Sequence, residues 1–227
     1  MCKKIAVITA RGGSRRIPKK NIKEFCGKPI IAYSIEAALA SGVFDEVMVS
    51  TDSEEIAAVA REYGADVPFM RSRETSDDYA TTNDVLVEVF NEYSKRGEHY
   101  DIAVCIYPTA PFVTADKLNN AVVLMERDGV EAVTPVVKFS FPPQRAFIIR
   151  DSLLEYQYPE YAKMRSQDLE PVYHDCGQFY AMKVKNVLQG IAVKAVPVIV
   201  PETEVQDIDC EEDWVIAEMK YRAMTKA

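Results

Sequence analysis

Short apolar runs alternate with segments of helical periodicity along the first 140 residues of the chain. Runs such as KKIAVITA (3–10) and DIAVCIY (101–107) are continuous and β-branched, which is typical of strands buried on both faces of a parallel sheet. The pattern predicts strands over residues 3–10, 46–51, 67–70, 101–107 and 131–137. Helices are predicted over residues 30–41, 53–63, 82–95 and 114–128, three of which stop at a glycine. This alternation predicts an α/β fold with three α/β/α layers and a mostly parallel sheet.

The pattern changes over residues 138–172, which are rich in Phe, Pro, Tyr and Arg and show weak periodicity. We expect an inserted lid or dimerisation segment here, with a hairpin around residues 146–156. Regular structure is predicted to resume with strands at 178–182 and 193–200 and with a last helix over 211–224. The chain is therefore expected to form one domain, 1–227, that carries this insertion.

Composition narrows the classes of function. The net charge is -8, which argues against a nucleic-acid partner, and no apolar run approaches the roughly 18 residues of a membrane helix. The five cysteines are scattered and form no Cys-x-x-Cys, so a disulfide framework or zinc site is not expected. The N-terminus runs directly into a strand pattern without a cleavage site for a signal peptide. We expect a cytoplasmic protein.

The charge is unevenly spread along the chain. Residues 1–28 hold nine Lys or Arg residues against a single acid, Glu24, so this segment carries +8 and the remainder -16. A basic segment in an acidic protein indicates a compact anion site, and a solvated basic loop is the alternative.

The loop after the first predicted strand, 10–21, favours the anion site. Gly12 and Gly13 allow the backbone to approach a ligand closely, and Arg11, Arg15 and Lys20 offer charge-assisted bonds to phosphate oxygens. The segment is neither a P-loop nor a Gly-x-Gly-x-x-Gly turn, because no Gly-Lys-Ser/Thr follows and the loop is too long. A nucleoside triphosphate is the natural ligand for so many cations.

Four motifs in order give the chain a family resemblance over essentially its whole length. They are Arg11–Ser14 with Ile17–Asn21 and Gly27–Pro29, then Ser50–Ser53 with Glu55 and Ile56, then Pro108–Pro111, and last Asp207 with Asp209. Together they resemble the cytidylyltransferases that activate nine-carbon acidic sugars, the CMP-acylneuraminate synthetases and their CMP-pseudaminic acid relatives. The resemblance implies a Rossmann-like nucleotidyltransferase fold. It also implies a reaction in which the anomeric hydroxyl of the sugar attacks the α-phosphate of CTP.

The resemblance also implies roles for individual residues. Arg11 and Lys20 match phosphate ligands and, with Asp209, are the expected catalytic residues. The expected nucleotide-binding residues are Ala10, Gly12, Gly13, Ser14, Arg15, Asn21, Arg71, Thr81 and Thr82. Arg71 has an alternative interpretation as a surface arginine after a strand.

Asp207 and Asp209 are the expected metal ligands. They are two residues apart, so on an extended segment both carboxylates face one side, as Mg²⁺ or Mn²⁺ bridging triphosphate oxygens requires. Asp209 could also help deprotonate the attacking hydroxyl. The alternative is that Asp209 caps the last helix, with Glu212 completing a capping box.

The sugar side departs from the acylneuraminate pattern, because Tyr107 replaces a Gln before Pro108–Pro111. This change and the segment 165–180 are more similar to the pseudaminic acid branch, although Ala181 and Met182 stand where that branch has Trp. The expected sugar-binding residues are Tyr107, Arg165, Gln167, His174, Asp175, Gln178 and Tyr180. Arg165 is the candidate for the sugar carboxylate, and alternation would point Gln178 and Tyr180 into one pocket. His174 could instead be structural, and Gln178 and Tyr180 could be ordinary strand residues.

Several alternatives stay open at this point. The acceptor could be an N-acetylneuraminic, legionaminic or 3-deoxy-octulosonic acid. A non-catalytic nucleotide-sugar sensor would be expected to lack Arg11, Lys20 or one of the paired aspartates, and all are present. The resemblance further suggests a homodimer in which residues 138–172 reach across to the partner.

Overall fold

The computed structural model describes residues 2–225, and a seven-stranded sheet organises them. The strands are β1 (Lys4–Thr9), β2 (Glu24–Phe25), β3 (Lys28–Pro29), β4 (Glu46–Ser50), β5 (Ile102–Ile106), β6 (Ala132–Lys138), β7 (Phe147–Arg150), β8 (Leu153–Tyr156), β9 (Tyr173–Asp175), β10 (Phe179–Lys183) and β11 (Val196–Ile199). The helices are α1 (Ile30–Ser41), α2 (Glu54–Glu62), α3 (Thr82–Lys95), α4 (Ala115–Met125), α5 (Val184–Gln189) and α6 (Glu211–Thr225). Single 3-10 turns lie at Lys20–Ile22, Pro143–Arg145, Pro159–Tyr161, Ser166–Asp168 and Glu202–Glu204.

The sheet has the order β11-β6-β10-β5-β1-β4, and β9 pairs with the other end of β6. β1 pairs in parallel with both β4 and β5, and β11 pairs in parallel with β6. β10 runs antiparallel between β5 and β6, and β9 is also antiparallel to β6. Five of the seven strands therefore share one direction, which confirms the predicted mostly parallel α/β sheet.

Helices cover both faces of this sheet. Ala6 and Ile8 of β1 point to one face, where they pack with α1, α2 and α4 in one buried cluster. Ile5 and Val7 point to the other face, where they pack with α3 and α5. Alternate side chains of one strand thus pack in two separate apolar layers, as is expected for a strand that is covered on both faces.

A third buried cluster joins the two ends of the chain. It combines Phe25 and Tyr33 with Trp214 of α6. Ile17, from the loop after β1, and Ile208, from the segment before α6, are both fully buried in it. Because both segments are anchored in one apolar cluster, the residues around Ile17 are held close to those around Ile208.

One predicted strand, 67–70, is wrong. Only Asp66 forms a bridge, to Met48, and the backbone then leaves the sheet edge. Pro68 explains the early end, since proline has no N–H to donate to a ladder. The predicted helix over 114–128 also ends early, at Met125.

The insertion contains the predicted hairpin, β7–β8, which pairs with itself and not with the central sheet. The hairpin carries large apolar side chains that face solvent, including Ile149 at 75% and Leu153 and Leu154 at 68% exposed. Two strands alone are rarely stable in water. Exposed apolar side chains that lie together in this way are typical of interaction surfaces. Among residues 2–225, none of the helices has the length and apolarity needed to cross a membrane.

Candidate nucleotide and sugar site

A cavity of about 490 Å³ opens where β1 and β5 end at their carboxyl edge. Its lining includes eight residues that the sequence predicted for the site: Arg11, Gly13, Ser14, Arg15, Lys20, Asn21, Tyr107 and Asp209. Thr9, Arg16, Ile17, Asp78, Pro108 and Thr109 complete the lining. The loop after the first strand and the segment before the last helix therefore face each other across one space.

The loop 10–21 is held in shape by two side chains. Asp52, two residues after β4, accepts a hydrogen bond from the Gly12 N–H at 2.8 Å, and the buried Asn21 amide donates to the Arg11 carbonyl at 2.9 Å. Ala10 is fully buried beneath it. A Cβ on Gly12 would lie 3.2 Å from the Cβ of Ser53, so a larger residue there would push this loop slightly away from the loop after β4. A Cβ on Gly13 would meet no atom within 4 Å, which leaves open space on the cavity side.

Asp78 pairs with two arginines of the loop. One carboxylate oxygen lies 2.8 Å from Arg11 Nη1, and the other lies 2.6 Å from Arg15 Nη2. Arg11 Nη1 also donates to the Asp77 carbonyl at 2.7 Å. The remaining nitrogens of Arg11 stay available to a ligand in the cavity.

Asp209 pairs with the other two cations. Its Oδ1 lies 2.8 Å from Arg16 Nη2 and 3.9 Å from Lys20 Nζ, which donates to the Ile208 carbonyl at 2.7 Å. Burial lowers the pKa of Lys20, while the charges of Asp209 and Asp207 act in the opposite direction. The cavity thus holds four cationic side chains and two carboxylates, and a bound polyanion would neutralise the excess positive charge.

Asp207 and Asp209 flank the buried Ile208, so the chain presents both carboxylates to the same side, near Lys20. Although the Asp207 residue as a whole is exposed, loss of solvent around its carboxylate and, second, the charge of Asp209 raise its pKa. No group of three or more His, Cys, Asp and Glu side chains suited to a metal occurs in residues 2–225. Two adjacent carboxylates nevertheless fit Mg²⁺, which takes its remaining ligands from phosphate and water.

The alternative role of Asp209 as a helix cap is wrong. Asp213 accepts from the N–H groups of Asp209 and Cys210, at 3.0 and 2.9 Å, and closes the start of α6. Because α6 begins at Glu211, the third helical residue is Asp213 and not Glu212. The Asp209 carboxylate is therefore left for the cavity.

A smaller cavity of about 220 Å³ adjoins the first and shares Thr9, Arg11 and Asp78 with it. Arg71 and Thr82 line it. The interpretation of Arg71 as a surface arginine is wrong, since only 8% of it is exposed and its guanidinium donates to Ser50 Oγ at 3.0 Å and to the Ser50 carbonyl at 2.6 Å. Burial lowers the pKa of Arg71. Thr81 does not line the cavity, because its hydroxyl forms a capping box with Asp84 at the start of α3.

A third cavity, of about 360 Å³, lies on the other side of Tyr107. Tyr107 and Tyr180 line it and their rings meet edge to face, with centroids 5.4 Å apart. The Tyr180 hydroxyl contacts both carboxylate oxygens of Asp175 at 2.8 Å, and Asp175 also accepts from the Gly177 N–H. Tyr107 and Tyr180 are thus brought together, and Asp175 orients Tyr180 from outside the cavity.

The other predicted sugar residues lie away from the three cavities. Gln178 is 2% exposed and donates to the Glu204 carbonyl at 2.7 Å, so it does not share the cavity that Tyr180 lines. His174 lies on the edge strand β9 against the Phe139 ring. Arg165 and Gln167 lie in the insertion, where Arg165 is mostly exposed and pairs with Asp168 at 2.7 Å.

Three residues of the site were not predicted from the sequence: Arg16, Asp52 and Asp78. Arg16 belonged to the basic segment, so its charge was the available signal. Asp52 belonged to the second motif. Asp78 stands in a polar stretch with no periodicity, and only the fold brings that stretch over the loop 10–21.

Comparison with known proteins gives relatives along the whole chain. A family model described as Cytidylyltransferase matches residues 5–189. The chain is 40% identical over 224 residues, 97% of each chain, to the pseudaminic acid cytidylyltransferase of Campylobacter jejuni subsp. jejuni. It is 33% identical over 224 residues, 94% of each chain, to the CMP-N,N'-diacetyllegionaminic acid synthase of Legionella pneumophila subsp. pneumophila. Among solved structures, CMP:2-keto-3-deoxy-manno-octonic acid synthetase complexed with CTP superposes with a TM-score of 0.71 at 19% identity, over 99% of this chain and 100% of the other, which shows a shared fold.

Proposed function

Because the chain belongs to the cytidylyltransferase family, we propose that it transfers CMP from CTP to the anomeric hydroxyl of a nonulosonic acid and releases pyrophosphate. The acceptor that we propose is pseudaminic acid. The observation that carries this proposal is the cavity of about 490 Å³ in which the cations of residues 11–20 meet Asp209. A triphosphate matches its excess of positive charge, and a pair of carboxylates beside a triphosphate matches a metal-assisted transfer.

CTP spans the two adjoining cavities in this proposal. Its triphosphate lies in the larger one, with Arg11, Arg15 and Lys20 as donors, and its cytosine lies in the smaller one beside Arg71 and Thr82. Transfer of this kind needs positioning and neutralisation of charge on the phosphates more than covalent help. The oriented donors of this loop supply both.

Mg²⁺, or Mn²⁺, is the cofactor that we propose, held by Asp207 and Asp209 with phosphate oxygens and water. When bound, it neutralises charge that develops on the phosphates. The chain itself contributes the two carboxylates, of which Asp209 also stands in the cavity where it can accept the proton of the attacking hydroxyl.

The sugar binds beside Tyr107 in this proposal, toward the cavity of about 360 Å³ that Tyr107 shares with Tyr180. The similarity to the Campylobacter pseudaminic acid cytidylyltransferase supports pseudaminic acid, and the similarity to the Legionella synthase keeps a legionaminic acid as the second candidate. Arg165 remains the proposed partner of the sugar carboxylate. Since Arg165 lies outside the cavities of its own chain, this role requires the insertion of a second copy.

We propose a homodimer for the same reason. The exposed apolar side chains of β7 and β8 give the insertion a surface suited to a partner. We propose the cytoplasm as the place of reaction, in line with the five free cysteines.

The test is a pyrophosphate-release assay with CTP against pseudaminic, N-acetylneuraminic, N,N'-diacetyllegionaminic and 3-deoxy-octulosonic acids. We expect the highest kcat/KM with pseudaminic acid, and UTP in place of CTP should react at least ~100-fold more slowly, since a mismatched base leaves buried polar groups unpaired. A higher kcat/KM with another sugar would make that sugar the acceptor in place of pseudaminic acid. Equal rates with UTP contradict a cytidylyltransferase.

A further inference from the structure

Asp78 stands where the two nucleotide cavities join, and it lines both. Each of its carboxylate oxygens contacts a different arginine of the loop 10–21, Arg11 at 2.8 Å and Arg15 at 2.6 Å. A single carboxylate therefore holds two of the cations that the proposed function assigns to the triphosphate.

A triphosphate that contacts the same guanidinium groups must approach the position of this carboxylate. Like charges at hydrogen-bond separations repel, and the repulsion grows in a cleft where the effective dielectric constant is lower than in water. Asp78 and the phosphates thus compete for Arg11 and Arg15.

The loop that carries Asp78 can release it without losing its own anchors. Residues 72–80 contain no helix or strand. Ser72 and Thr75 donate to the Glu88 carboxylate of α3, and Asp77 accepts from two following backbone N–H groups. The contacts of the Asp78 carboxylate with the two arginines are not among these anchors, although Arg11 Nη1 also donates to the Asp77 carbonyl and would keep that bond when Asp78 leaves.

We infer that Asp78 is an internal counter-anion that sets the affinity of the site for polyphosphate by competing for Arg11 and Arg15. Naming CTP as the ligand rests on the proposed function, whereas the competition itself applies to any polyphosphate. After transfer, the return of Asp78 to the two arginines would also disfavour rebinding of pyrophosphate.

The experiment is calorimetric titration of inorganic tripolyphosphate, without metal, into the wild-type protein and into Asp78→Asn and Asp78→Ala. Both variants should bind more tightly, by about 3- to 30-fold, because two partly exposed ion pairs no longer oppose the ligand. Glu55→Gln is the matched control. Glu55 pairs with Lys19 of the same loop at 2.7 Å but lies outside both cavities, so its removal should leave the affinity unchanged.

Tighter binding in both Asp78 variants, with melting temperatures near that of the wild type and an unchanged control, supports the inference. Unchanged or weaker binding in Asp78→Asn overturns it, as does absence of tripolyphosphate binding in every variant. Equal tightening in Glu55→Gln also overturns it, because net charge alone would then be the cause. Failure of CTP turnover with every sugar, alongside tighter tripolyphosphate binding, would reject the proposed function and leave this inference standing.

Discussion

The Lys20 ammonium stands 3.9 Å from the Asp209 carboxylate, although the two residues come from opposite ends of the chain. The backbone carbonyl of Ile208 accepts from the same ammonium, and Ile208 itself packs in one buried cluster with Ile17. The apolar anchors thus fix the distance between the proposed phosphate loop and the proposed metal pair. We therefore expect turnover to depend on residues of both the loop 10–21 and the segment 207–209, and to tolerate substitutions outside the cavity that they line.

Lys20→Gln should lower kcat with CTP by about 10²- to 10³-fold, because oriented donors at a site of developing charge are each worth ~3–4 kcal/mol. Steady-state pyrophosphate release measures this. Lys19→Gln is the control, since the Lys19 side chain is mostly exposed and pairs with Glu55 outside the cavity. Equal losses in the two variants would assign the effect to net charge and not to Lys20.

Asp209 and Asp213 should separate catalysis from stability. Asp209→Asn should abolish Mg²⁺-dependent turnover with little change in melting temperature, because it removes a proposed metal ligand without altering volume. Asp213→Ala should keep most of the turnover but lose about 1 kcal/mol of unfolding free energy, because it deletes the cap of α6. An active Asp209→Asn enzyme would remove Asp209 from the proposed metal site.

Glu88 should make stability depend on pH. Burial opposes its charge, but hydrogen bonds from Thr75 and Ser72 outweigh that effect and lower the pKa of Glu88. A folded-state pKa below the unfolded value stabilises the fold above the unfolded pKa, and this contribution is lost as pH falls through the folded pKa. Glu88→Gln should therefore cost about 1–2 kcal/mol in urea unfolding at pH 7. The difference from wild type should shrink at pH 3, and an equal cost at both pH values would assign the effect to packing.

The apolar hairpin should determine the oligomeric state. Ile149→Asp or Leu153→Asp should convert a two-chain species to one chain in size-exclusion chromatography with light scattering, since each places a charge in the proposed interface. Val215→Asp, at an exposed apolar position of α6, should leave the mass unchanged. A wild-type protein that is monomeric at micromolar concentration would exclude this interface.

Arg165→Ala should raise KM for the sugar about 10-fold or more and leave KM for CTP nearly unchanged, because a bidentate guanidinium contact to a carboxylate would be lost. Initial rates with one substrate varied at a time give both constants. Lys163→Ala, at an exposed position of the insertion outside the β7–β8 hairpin, is the control. An unchanged KM for the sugar would show that Arg165 pairs with Asp168 and does not bind the sugar carboxylate.

Local chemistry made most elements predictable. α1 runs over the residues that the pattern predicted, because Gly42, at a φ of 65°, ends it. Ser53 caps α2, and the hairpin in the insertion is present. Periodicity carries no information on strand direction, so the antiparallel insertion of β10 between β5 and β6 could not be read from the sequence.

Among the site residues too, those placed by local sequence were predictable and those placed by tertiary contacts were not. Loops at the carboxyl ends of parallel strands meet by construction, which is why Arg11, Lys20 and Tyr107 line one cavity as the sequence predicted. Arg165 and His174 lie in or beside an insertion whose position depends on tertiary contacts, and local pattern does not fix those. Asp78 could not be predicted from its residue type, because phosphate ligands are expected to be cations and its acidic side chain meets the arginines only in the fold.

The position of β10 also affects how the protein is made. In the part of the chain that the structure describes, β6 borders β10 and not β5, so strands β6 and β11 join the rest of the sheet only through β10. During synthesis β6 leaves the ribosome before β9 and β10 are made, and until then neither of its edges has a neighbour, since β11 is made later still. An unpaired edge invites pairing with other chains. Nascent chains paused within the insertion should therefore be the stage at which this protein most needs a chaperone.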